Sequence, residues 1–196
     1  MAQTSTTLIA TKAHVTTITG SDISFTATSG VNTIKSTSTV LSGAGKLAVF
    51  DLITVTGTTN NNSTFTVKSI VSTLEITVEQ IVTAENSDGS TSVSLDHTGF
   101  VSDKAKGDGY YSQPDGVHTV AYQVSADFNA NATIKIQGSL ATAPAEDDWF
   151  DVSGTTFTAD TSTVTSSANF TGNFVWVRSK VQSVTAGTVN SILFNN

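Results

Sequence analysis

The chain has no cysteine among its 196 residues. A disulfide framework, thiolate-bound zinc, an iron–sulfur cluster and a thiol nucleophile are therefore excluded. Charge is scarce as well: charged side chains make up 13% of the residues, 9 basic against 16 acidic, for a formal net charge of −7. Such a chain has neither the broad basic footprint that drives counterion release on nucleic acid nor a polybasic segment for an anionic bilayer. No apolar run approaches the roughly 18 residues that a spanning helix needs. The first ten residues, Met1 to Ala10, have no basic stretch and no apolar core, so no secretory signal is predicted. Nucleic acid and membrane are thus not expected as partners.

Hydroxyl side chains are abundant. There are 35 Thr and 25 Ser, together about 30% of the chain and well above ordinary usage. Thr is β-branched and fits a pleated, half-wet surface, while both residues compete with a helix backbone for hydrogen bonds. An all-β fold follows. Hydrophobic residues at 38%, ten Phe among them, supply a core that a disordered chain would lack.

Short alternating runs separated by Gly, Asn, Asp and Ser predict strands near Thr6–Ala10, Val15–Thr19, Ile23–Ala27, Asn32–Ser36, Leu47–Val55, Thr64–Ile70, Leu74–Glu79 and Thr91–Leu95. Phe50 to Val67 reads as a hairpin around Asn60–Asn62, since Asn tolerates the left-handed angles of tight turns, and Leu74–Val78 extends it to a meander. Alternation lapses between Asp96 and Gly116. The expected organisation is an N-terminal meander or barrel-like β domain over 1–96, a linker over 97–108, and a C-terminal jelly-roll-like β-sandwich over 109–196. Strands of the second half are expected at Val117–Val124, Thr133–Leu140, Trp149–Val152, Thr155–Thr158, Asn173–Gln182 and Thr188–Phe194. In the strongest of them Val175, Val177 and Val181 share one face, opposite Phe174, Trp176, Arg178 and Lys180. That mixed aromatic and basic face suggests a partly exposed strand at an interface.

Catalytic signatures are missing. There is no Gly-x-Ser-x-Gly elbow, no phosphate-binding Gly loop and no dinucleotide fingerprint. His14, His97 and His118 have no second His at metal-ligand spacing and read as structural. Glu146-Asp147-Asp148-Trp149-Phe150-Asp151 reads as a solvated acidic loop, with a cation or interface contact as the alternative, because it lacks the spacing of a calcium loop. Asp103, Asp108 and Asp115 beside Gly107, Gly109 and Gly116 read as turn chemistry. No catalytic, cofactor or metal residues are assigned. Tyr110, Tyr111, Trp149, Phe174, Trp176 and Arg178 are the expected interface residues, with stacking of Tyr110, Tyr111, Trp149 and Trp176 on sugar rings as the alternative. Sequons at Asn61, Asn62, Asn131 and Asn169 arise by chance in a chain this rich in Ser and Thr.

Gly109-Tyr110-Tyr111 through Asp115–Val120, then Ile134–Pro144, Asp148–Val152 and Asn169–Arg178, resemble a module of virion structural proteins of tailed phages, notably marine cyanophages. The hairpin and following strand of the first half are similar to small β modules of phage head and tail proteins. The resemblance implies a particle component located in the virion and assembled in the host cytoplasm. It implies no enzymatic residues. Its expected role is a capsid decoration protein, homo-oligomeric and plausibly trimeric, bound to the major capsid protein or other virion proteins. A neck, tail or baseplate adaptor and a module binding host glycans are the alternatives.

Overall fold

The computed structural model describes residues 5–112, 116–128, 132–160 and 164–195. The protein is all-β, and its chain divides into two compact units. One is the continuous segment Val15–Phe100; the other joins Met1–His14 to Val101–Asn196. In chain order the first strands are β1 (Ser5–Ile9) and β2 (Lys12–Ala13). The continuous segment then supplies β3 (Ile18–Gly20), β4 (Ser24–Thr28), β5 (Val31–Lys35), β6 (Asp51–Thr56), β7 (Thr64–Ser72), β8 (Glu75–Val78) and β9 (Val93–Val101), whose last residue lies past the boundary. The remainder supplies β10 (Ala105–Lys106), β11 (Val117–Val124), β12 (Thr133–Ser139), β13 (Phe150–Asp151), β14 (Phe157–Thr158), β15 (Thr165–Thr171), β16 (Trp176–Gln182) and β17 (Thr188–Asn195).

In the continuous unit every pairing is antiparallel, in the order β4-β5-β8-β7-β6-β9-β3. Strand β7 pairs with β6 through Thr64–Thr66 and with β8 from Val67 onward, with register shifts after Val67 and Ile70. Bulges of this kind bend a strand, so one strand serves two parts of the sheet. The inward positions Phe25, Ile34, Ile53, Phe65, Val67, Ile76 and Leu95 form one core, each at most 2% exposed. Many outward positions carry hydroxyls, as where Thr54 meets Thr64 and Thr98 at 3.1 and 3.3 Å.

The split unit is a sandwich of two antiparallel sheets. One has the order β1-β17-β11-β15, with β2 continuing β1 along β17. In the other, β12 pairs with β16 on one side and with β13 and β14 on the other, and β10 lies on the far side of β16. Taking β1 with β2, and β13 with β14, as single interrupted strands gives eight strands. Counted in chain order, they run 1-8-3-6 in one sheet and 2-7-4-5 in the other. Between the sheets, Tyr122 stacks on Phe157 at 5.6 Å and its hydroxyl donates to the Thr155 carbonyl at 2.5 Å.

Two boundaries differ from the sequence reading. Residues 97–108, expected to be a linker, hold the end of β9 and all of β10. Alternation in fact continues past Leu95, but a buried His97 occupies the next inward position and masks the pattern. Residues 1–14 do not belong to the N-terminal unit, because β1 pairs with β17 at the opposite end of the chain. No helix among the described residues is long and apolar enough to cross a membrane.

Candidate interaction surface

The outer face of the sheet built on β16 gathers most of the chemistry. Five of the nine basic residues of the chain, Lys104, Lys106, Lys135, Arg178 and Lys180, lie on or beside it. At one end the strand register aligns Lys106 of β10 with Trp176 of β16, Trp176 with Ser139 of β12, and Gly138 with Phe150 of β13. The 3₁₀ turn Asp108–Tyr111 follows β10 and is held by the Gly109 amide, which donates to the Phe174 carbonyl at 2.8 Å. A side chain at Gly109 would meet the Asn173 carbonyl oxygen at 2.8 Å, so only glycine allows this approach.

The turn sets Tyr110 against Trp176, ring centres 4.9 Å apart, and Tyr111 edge-on to Tyr110 at 5.2 Å. Lys106 Nζ lies 4.1 Å from the centre of the Tyr110 ring, and Lys104 Nζ lies 4.5 Å from that of Trp176. Cations over ring faces are attracted by the ring quadrupole. The Trp176 indole N–H donates to the Thr142 carbonyl at 2.9 Å, which fixes the ring while leaving it half-buried. Tyr110 and Tyr111 are 42% and 53% exposed.

Two residues along the same strand, Arg178 is buried. Its Nη1 and Nη2 donate to the two Glu146 oxygens at 2.8 and 3.0 Å, and its Nε donates to Gln137 Oε1 at 2.9 Å. Trp149 covers the guanidinium at 4.3 Å. The Arg178 hydrogen bonds hold the Glu146 carboxyl below its ordinary range, against a smaller upward push from burial. Alongside, Asp151 accepts from Lys135 at 2.7 Å and from Gln137 at 2.9 Å. Burial raises the Asp151 carboxyl, but these donors together with the Lys135 and Lys180 charges leave it lowered.

The face therefore brings together Tyr110, Tyr111 and Trp176 as one cluster and Trp149 with Arg178 as another. Phe174 belongs to neither. It lies before β16, turned inward where its amide meets the Gly172 carbonyl at 3.0 Å, and is 8% exposed among Phe150, Phe170 and His118. Gly138 makes room for it: a Cβ there would stand 2.6 Å from the ring. Arg178, expected on an exposed face, is an enclosed ion-pair partner. Neither placement is visible in an alternating sequence, because both depend on which loop folds over the strand.

The remaining candidates have structural positions. His118 is 1% exposed, and its Nε2 donates to the Gly172 carbonyl at 3.1 Å beside Asp108 at 3.6 Å. His97 accepts the Val15 amide on Nδ1 at 3.2 Å and places Nε2 3.4 Å from Asp51. The His14 amide donates to the Gly187 carbonyl at 2.9 Å. Asp103 is exposed, Asp108 accepts the Gly116 amide at 2.8 Å, and Asp115 lies outside the described residues, as does the sequon at Asn131. Among the described residues no group of three or more His, Asp or Glu could hold a metal ion. Asn61 is 2% exposed and hydrogen-bonded to Thr83 and Glu85, and Asn62 and Asn169 bond to Thr58 and Thr119. In the continuous unit a depression of about 170 Å³ is lined by Glu85 and Asp88 among others, but both carboxylates are taken by neighbouring amides. Neither a known protein family nor a curated protein matches the chain.

Proposed function

We propose that this chain is a non-enzymatic virion structural protein of a tailed phage, a decoration protein on the outside of the capsid. The observation that carries the reading is the strand order of the split unit, 1-8-3-6 and 2-7-4-5. That is the order of a jelly roll, an architecture used by viral capsid domains and by lectins. The continuous unit, residues 15–100, then interrupts the roll between its first and second strands. The half-exposed aromatic and basic face of β16 fits a protein interface, where Tyr, Trp and Arg are enriched.

A protein that binds only the assembled lattice stabilises it by mass action, by about 2.7 kcal/mol at a free concentration one hundred times the dissociation constant. Quantifying the chain in purified particles tests the reading. On the order of hundreds of copies per particle is the expected result, whereas six, twelve or a few dozen would move it to the neck, tail or baseplate. A glycan-binding module is the second reading, favoured by the exposure of Tyr110 and Tyr111 beside Trp176. Loss of glycan binding in Trp176→Ala and Trp149→Ala, with particle incorporation intact, would establish it. The non-enzymatic part rests on buried, committed histidines; turnover on polysaccharide or peptide that vanished in His118→Ala or Asp148→Ala would sink it.

A further inference from the structure

We infer that the free edge of β15 is a self-association site, where the strand pairs antiparallel with β15 of a second copy of this chain. Strand β15 ends the sheet order β1-β17-β11-β15, and among the described residues no strand pairs along its far side. One hydrogen bond fixes which backbone groups point that way. The Val124 amide donates to the Val164 carbonyl at 2.9 Å, in step with the β11–β15 register. Bonded and non-bonded pairs alternate along antiparallel strands, so Ser166, Ala168 and Phe170 direct N–H and C=O toward β11, while Thr165, Ser167, Asn169 and Thr171 direct theirs outward. Those four residues are also exposed. Proteins blunt such edges by shortness, charge, proline or a bulge. The other strands at sheet ends comply: β3, β10, β13 and β14 have two or three residues, β1 shifts register between Thr7 and Ile9, and β4 is bridged to Glu85 at Phe25. In contrast β15 has seven residues in unbroken register, without proline or a charged side chain.

Symmetry and charge identify the occupant. A strand paired antiparallel with its own copy lies on a twofold axis, so one edge supplies both halves of an isologous contact. The register that bonds all four outward residues sets Thr165 opposite Thr171 of the partner subunit and Ser167 opposite Asn169 of the partner subunit, with Ala168 on the axis. Thr–Thr and Ser–Asn pairs can hydrogen-bond across strands. Ala168 falls at a non-hydrogen-bonded position, where side chains approach most closely, and its methyl is small enough for that. Another extended chain would match the main chain alone, whereas a copy also matches side chain to side chain. Two copies of a chain with net charge −7 repel over most of their surface. Here they do not: β1, β17, β11 and β15 contain no Asp, Glu, Lys or Arg.

Purified full-length chain tests this without any particle, so its outcome is independent of the virion reading. Sedimentation equilibrium over a concentration series should show a reversible monomer–dimer equilibrium. Hydrogen exchange over the same series locates it: the amides of Thr165, Ser167, Asn169 and Thr171 should gain protection as concentration rises, while those of Ser166, Ala168 and Phe170 are protected throughout. Two double variants, Ser167→Lys with Asn169→Lys and Ser167→Asp with Asn169→Asp, set like charges opposite each other at exposed positions. Each should weaken association by at least about tenfold. An equimolar mixture of the two should regain it, because opposite charges then meet across the axis. Ser167→Pro removes an outward amide and should weaken association with no change in charge. An unchanged far-ultraviolet dichroism spectrum checks that each variant is folded. A wild-type chain that stays monomeric overturns the inference. So does association without the alternating protection on β15, or a mixture no stronger than its components.

Discussion

Asp22 is a single carboxylate that organises a whole loop. Its oxygens accept hydrogen bonds from the Ser36, Thr37, Ser38 and Thr39 hydroxyls and from the amides of Thr37, Ser38 and Thr39, at 2.6 to 3.2 Å. Those donors, the Thr39 and Ser36 hydroxyls foremost, hold its carboxyl far below the ordinary range. A carboxyl lowered in the folded state contributes stability that is complete above its unfolded value, about 3.9, and is lost as pH falls toward the folded one. Thermal melts from neutral pH down to about pH 2.5 should therefore fall more steeply for the wild type below about pH 4 than for Asp22→Asn. Equal slopes would remove Asp22 from the acid response. Phe174 and Trp176 make a second contrast at this scale, two residues apart but one enclosed and one half-buried. Phe174→Ala should cost about 3 kcal/mol or more by leaving a cavity, and Trp176→Ala clearly less. Denaturant midpoints at constant slope would measure both, and the reverse order would contradict the placement of Phe174.

At the scale of elements, what was legible is what local pattern encodes. Strands β6, β7 and β8 carry alternating stretches, and Ile53, Val55, Phe65, Val67, Ile76 and Val78 from them belong to the core of the continuous unit. The turn between β6 and β7 was legible in place but not in chemistry. The asparagines were expected to supply left-handed backbone, yet the positive φ of that turn, 82°, belongs to Gly57. Asn61 and Asn62 act through their side chains, and Glu85 binds the tip by accepting the amides of Thr59 and Asn60 at 2.8 and 3.0 Å. Glu85→Gln should speed amide exchange at Thr59 and Asn60 while Ile53 and Val67 keep their protection; unchanged rates at the tip would show that the turn holds itself. Strand β15 was not legible at all. Thr165-Ser-Ser-Ala-Asn-Phe-Thr has one buried apolar residue, Phe170, and becomes a strand by pairing along its whole length with β11. The candidate surface shows the same limit: the basic and aromatic side of β16 was visible, but its partners on β10, the 3₁₀ turns and β13 come from distant stretches of sequence.

For the whole molecule the decisive feature is that fourteen N-terminal residues belong to the unit that resumes at Val101. A break near residue 97 would make the first strand part of an independent N-terminal domain. Its pairing instead makes it the neighbour of β17, where Ser5, Thr6, Thr7 and Ile9 face Asn195, Phe194, Leu193 and Ile192. Removal of residues 1–14 discards β1 and β2 and the burial of Leu8 and Ile9, which are 9% and 6% exposed. At about 1.5–3 kcal/mol for each buried aliphatic side chain, that is a loss of roughly 3–6 kcal/mol, a large share of the 5–15 kcal/mol that holds a typical domain. It also opens an edge on β17 that invites pairing with other chains. The continuous segment 15–100 keeps all the pairings of β3 to β8 and the whole of its core cluster. Hydrogen exchange on the chain lacking residues 1–14 should therefore show lost protection along β11, β16 and β17 while Ile34, Ile53, Val67 and Ile76 remain protected. Loss confined to the segment 15–100, with β11 and β17 intact, would restore the sequential division of the chain.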